Sequence, residues 1–162
     1  LDTLYYTKKD DSTIGGSNTT SDTKTLYNDL LFGYLFSGSW YGGLLYGSDS
    51  IETQMTATTS RKELLTHYGL SLGYVTETWF FMGHYILSGS YVPNDSQKWS
   101  DASGLQIDGG YAFAMGSTFS LGLQLTYRNL NYKTYESSGA KVSSSSLAKT
   151  ELYPSIDLIF RF

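Results

Sequence analysis

Apolar side chains recur at every second position through eight stretches of this chain, roughly 1–10, 23–36, 40–50, 63–75, 79–91, 104–114, 118–132 and 147–162. Leu26, Leu30, Phe32, Tyr34 and Phe36 share one phase, as do Leu64, Tyr68, Leu70, Leu72 and Tyr74. The same holds for Trp79, Phe81, Tyr85, Leu87 and Tyr91, and for Phe119, Leu121, Leu123, Leu125 and Tyr127. Side chains alternate across a strand with a period of two, whereas a helix repeats every 3.6 residues. The pattern predicts an all-β chain, and its 162 residues form a single domain, 1–162.

The connections between these stretches alternate as well. Three are short, at 37–39, 76–78 and 115–117, and their centres Gly38, Glu77 and Gly116 are 39 residues apart each time. The other four, 11–22, 51–62, 92–103 and 133–146, are long and polar. Short and long connections in strict alternation predict an antiparallel up-and-down meander, with tight turns at one end and long loops at the other. Pairing Tyr74 with Trp79 and Phe113 with Phe119 across two of the short turns places Gly69 opposite His84 and Asp108 opposite Gln124.

Charge decides which face points inward. Asp29, Asp108, Arg128, Asp157 and Arg161 all fall on the face opposite the large apolar residues, together with His67 and His84 and with small residues such as Gly33, Gly43, Gly47, Gly73, Gly110 and Gly122. Eight strands enclose an interior just wide enough for side chains to fill, so rings of Trp, Tyr, Phe and Leu from every strand would overfill it. The expected arrangement is therefore apolar outside and polar inside, a transmembrane barrel whose strands need only ~9–11 residues each. No stretch is long and apolar enough for a membrane helix. Aromatic residues gather near the tight turns, at Tyr34, Phe36, Trp40, Tyr74, Trp79, Tyr111, Phe113, Phe119 and Phe160, as a girdle at the membrane interface would require. Closure is expected too, because lipid offers no partner to an open sheet edge.

The predicted lumen network comprises Asp29, His67, His84, Asp108, Gln124, Arg128, Asp157 and Arg161. Buried charges need partners, so a hydrogen-bonded core is expected here in preference to a metal site, and no cofactor is implied. Large inward residues, Leu31, Leu45, Leu65, Phe80, Met82, Ile86 and Leu130, oppose a wide pore, although a narrow channel for very small solutes is the alternative reading. The mild net charge of -4 carries no basic footprint for nucleic acid. With no cysteine, neither disulfides nor thiolate metal sites are available.

The chain ends on "LYPSIDLIFRF", in which Ile156, Leu158, Phe160 and Phe162 share one face. With that final strand, eight strands and alternating connections, it resembles the small bacterial outer-membrane barrels of the outer-membrane protein A and X type. The resemblance implies that Ile156, Leu158, Phe160 and Phe162 are the signal read by the barrel-assembly machinery. It also implies short turns on the periplasmic side, long loops outside, and a Gram-negative outer membrane with its lipid and lipopolysaccharide as surroundings. The first stretch alternates poorly, so residues upstream of Leu1 are expected to complete that strand. Lipid A deacylase barrels use a His-x-Ser pair with a carboxylate; here the histidines read "THYGL" and "GHYIL", so catalysis is not expected. Function is expected in the loops, as a structural or surface-interaction role of a monomer with an unidentified extracellular partner. Trp99 is the candidate loop contact, and Asp10, Asp11, Asp49, Glu52, Asp95 and Asp101 are expected near the rim.

Overall fold

The computed structural model describes residues 2–14, 17–36, 38–56, 59–142 and 145–160. Every regular element among them is a strand: β1 Asp2–Ile14, β2 Ser17–Phe36, β3 Trp40–Thr56, β4 Thr59–Val75, β5 Trp79–Asn94, β6 Gln97–Ser100, β7 Ser103–Ala114, β8 Phe119–Tyr132, β9 Thr134–Ser137, β10 Ala140–Val142 and β11 Leu147–Phe160. The pairings are all antiparallel, and the long strands follow chain order from β1 to β5, then β7, β8 and β11. Among the described residues β11 meets β1 again only at Asp2↔Asp157 and Thr3↔Ile156. Beyond those two pairs the sheet is not closed along this seam.

Three short strands stand where loops were expected. β6 pairs with β5 and with β9, and β9 pairs with β10, so these three build a small flap continuous with the main sheet. The polar stretches 11–22 and 51–62 are likewise mostly strand. β1 and β2 stay paired as far as Ile14↔Ser17, and β3 and β4 as far as Thr56↔Thr59. Thr and Ser are abundant there, and β-branched Thr fits a pleated surface even where hydropathy gives no alternation.

The turn at 37–39 joins Phe36 and Trp40 as the sequence suggested, while the other two short turns are wider. Tyr74 pairs with Phe81 and Phe113 with Leu121, which sets His84 opposite Ser71 and Asp108 opposite Thr126. Each register is thus displaced by two residues, which preserves the face of every side chain. In the β4–β5 turn, Thr76 supplies the reason. Its Oγ1 accepts from the backbone N–H of Thr78 at 3.3 Å and of Trp79 at 2.9 Å, holding a wider loop. Gly38 takes φ +76° in the β2–β3 turn, a conformation open to glycine and strained for other residues.

The two faces of the sheet differ as the alternation requires. Phe32 is 80% exposed, and Leu30, Leu44, Leu70, Leu72, Phe81, Leu105, Leu123 and Leu125 are each more than half exposed. On the other face Leu45, Leu65, Ile86, Ala102, Leu130 and Tyr132 form a buried cluster, with Leu31, Tyr91, Trp99 and Leu147 packed against it. Alternation alone puts Tyr91 on the outer face. A register shift between β4 and β5 at Tyr68/Gly69 inserts one residue into β5 and turns everything beyond it to the opposite side.

Candidate functional site: a filled polar interior

The inward phase of the strands gathers a polar network between β2, β3, β4, β5, β7, β8 and β11. Asp29, His67, His84, Asp108, Gln124, Arg128 and Asp157 are all buried. Arg161 and Phe162 lie outside the described residues. Glycine makes the crowding possible: a Cβ on Gly47 would meet the His67 ring and lie 2.5 Å from Asp29 Oδ1, and one on Gly122 would lie 2.8 Å from Asp157 Oδ2.

Two hydrogen-bonded chains run through this interior. In the first, His84 Nδ1 lies 2.7 Å from Ser71 Oγ and Nε2 lies 2.7 Å from Asp108 Oδ2. Gln106 extends it, its amide donating to Asp108 and, at 2.8 Å, to Asp29 Oδ2. In the second, Arg128 donates to Glu151 Oε2 from Nε at 2.9 Å and from Nη2 at 2.6 Å, and also bonds Asp49. Its Nη1 lies 3.3 Å from His67 Nε2, and that nitrogen lies 3.6 Å from Asp29 Oδ1, so the two chains approach each other here without a hydrogen bond between these two atoms. Tyr27 and Tyr153 stack 4.0 Å apart at 7°, and the guanidinium lies 5.8 Å and 5.4 Å from their centroids. Such a cation over ring faces gains most where water is excluded.

Several members were not singled out by sequence. Asp49 was expected at the rim with other acidic residues, yet it is 1% exposed and paired with Arg128. Its odd number puts it in phase with Gly43, Leu45 and Gly47, and β3 runs on past it, so the rim lies farther out. Glu151 shares the phase of Asp157 in the same way. Gln106, Ser71, Tyr27 and Tyr153 carry no charge and left only their phase as a signal. Gln124 is buried as expected, but it faces Gly110 and donates to Thr126 Oγ1 at 2.9 Å.

Ser71, His84 and Asp108 have the composition of a nucleophile relay. Ser71 is 6% exposed, and His84 and Asp108 less still, so the three lie within the interior. Among the described residues no cluster of three or more His, Cys, Asp or Glu is arranged to hold a metal ion.

The predicted girdle residues Tyr34, Phe36, Trp40, Tyr74, Trp79, Tyr111, Phe113 and Phe160 are exposed, and Phe119 is half-buried. Two pairs touch across strands, Trp40 meeting Tyr74 edge-on at 5.5 Å and Phe119 meeting Phe160 at 5.2 Å, while Tyr111 meets Phe113 at 4.9 Å two positions along β7. Of the C-terminal strand residues, Ile156 and Phe160 point out and Leu158 is half-buried. Trp99 is no free loop residue: it sits on β6 opposite Tyr91, meets Tyr135 at 4.7 Å with the rings tilted by 42°, and packs against the buried cluster. Comparison with family models, with curated proteins and with solved structures finds no match for this chain.

Proposed function

We propose that this chain is an eight-stranded transmembrane β-barrel of a bacterial outer membrane, filled inside, with a structural or surface-binding role carried by the strand-built arms at its long-connection end. The observation that carries this reading is the inversion of the two faces. Large apolar side chains such as Phe32, Leu44, Leu72 and Leu123 are exposed, while Asp29, Asp49, Asp108 and Arg128 are buried. Soluble proteins rarely expose so broad an apolar surface, and a bilayer is the solvent that matches it. The cyclic order of pairing among the eight long strands supports the barrel.

The interior argues against conduction. Arg128 and its carboxylates, the Tyr27–Tyr153 stack and the cluster around Leu45 and Ile86 occupy the space a solute would cross. Binding then belongs to the arms of β1–β2 and β3–β4 and to the flap of β6, β9 and β10. The environment proposed is outer-membrane lipid and lipopolysaccharide, reached through the barrel-assembly machinery with the outward residues of β11 as the signal. The test is a pair of measurements on protein refolded in detergent. It is expected to migrate differently in SDS gels before and after boiling, and to give no steady conductance in planar bilayers. A monodisperse detergent-free monomer contradicts the membrane reading, and stable unitary currents contradict the filled interior.

A further inference from the structure

The seam between β1 and β11 differs from every other junction of the long strands. β1 is paired with β2 from Asp2 to Ile14 and β11 with β8 from Leu147 to Phe160, yet among the described residues the two meet each other only at Asp2↔Asp157 and Thr3↔Ile156. Above that point Leu4–Ile14 and Leu147–Ser155 present facing strand edges. Pro154, two residues beyond the last pair on β11, has no N–H to offer, and proline in a sheet belongs at an edge. Open edges do not persist in hydrocarbon, so a split seam requires something to fill it.

The register identifies the occupant. Continued beyond Thr3↔Ile156, it brings Leu4 to Ser155, Lys8 to Glu151 and Asp10 to Lys149, so that both charged positions face the opposite sign. A foreign strand inserted between antiparallel β1 and β11 would run parallel to one of them, the slightly weaker pairing, whereas β1 itself continues the antiparallel ladder. In the split form Glu151 is held by Arg128 and Lys149 lies 3.3 Å from Glu151 and over the Tyr91 ring, so neither β11 charge depends on β1. Behind the seam, Tyr27 of β2 and Tyr153 of β11 stack across the position of β1.

We propose that β1 and β11 form a lateral zipper with two states, the split seam of this structure and a zipped seam in which β1 pairs with β11 along the continued register. The inference rests on the barrel reading. Its test uses the absence of native cysteine, in detergent-refolded protein already checked for heat-modifiable migration. Leu4→Cys with Ser155→Cys is expected to crosslink under mild oxidation, and Lys8→Glu in that background to slow crosslinking severalfold. Without the crosslink, backbone amides of Leu4–Ile14 and Leu147–Tyr153 are expected to exchange roughly tenfold faster than those of β3 and β4 within the same barrel. Failure of the pair to crosslink, while Thr3→Cys with Ile156→Cys does so, overturns the zipped state. Protection of the seam amides equal to that of β3 overturns the split state. Loss of heat-modifiable migration would instead count against the barrel itself.

Discussion

Arg128 and Glu151 are register partners on β8 and β11, and the guanidinium grips that carboxylate from both Nε and Nη2 while also bonding Asp49 on the far side of the interior. One cation thus ties three strands that are distant in sequence. Arg128→Met is expected to leave Asp49 buried and unpaired and Glu151 with Lys149 alone, and to cost about 3–5 kcal/mol, the penalty for breaking a buried ion pair from one side. Adding Asp49→Asn and Glu151→Gln is expected to restore part of that stability. Urea unfolding of the refolded protein, followed by tryptophan fluorescence, measures both; equal stability of Arg128→Met and wild type would mean that the site is wet.

Gly47 provides the space in which Asp29 and His67 meet. Gly47→Ala forces a methyl group against a packed imidazole and a carboxylate, and overpacking of this kind costs about 1–3 kcal/mol. The same substitution at Gly116, where nothing lies within 4 Å, is expected to be close to neutral. Unfolding midpoints of the two variants give the comparison.

Trp99 acts on stability before it acts on any partner. Its ring is packed between Tyr135 and the buried cluster, so Trp99→Ala is expected to cost about 3 kcal/mol, at the low end for a large aromatic. It is also expected to speed amide exchange across β6 and β9. For the same reason, shortening 92–103 or 133–146 should destabilise the protein. Shortening 11–22 or 51–62 should leave it folded, since lengthening or shortening a connection changes closure entropy by only ~0.6 kcal/mol per doubling. If all four truncations unfold at the wild-type midpoint, the flap has no packing role.

The sequence made the faces legible and left the ends obscure, for one physical reason. A period of two survives any even register error, so Asp29, Asp108 and Arg128 could be placed inside although both turn registers were displaced by two residues. The bulge at Tyr68/Gly69 is an odd displacement, and there the assignment of Tyr91 failed. The arms were invisible because their residues are largely polar and give alternation little to mark, and the flap because strands of three or four residues are too short to show a period. Asp49 and Glu151 were legible in phase, inside the expected stretches 40–50 and 147–162, and were overlooked because a charge near a strand end reads as rim.

The lipid face carries the central claim, and depth-dependent accessibility tests it most directly. The absence of native cysteine permits single spin labels at Leu44, Leu70 and Leu123 on the exposed apolar face, with Lys98 and Glu136 on the flap as references. In vesicles, the first three are expected to relax strongly with oxygen and weakly with a nickel chelate, and the flap sites in the reverse order. Leu123→Arg in the same vesicles should cost about 2–4 kcal/mol, against about 0–1 for Met115→Arg at the turn. Nickel access at Leu44, Leu70 and Leu123 equal to that at Lys98 would contradict the account, because it would place the apolar face in water.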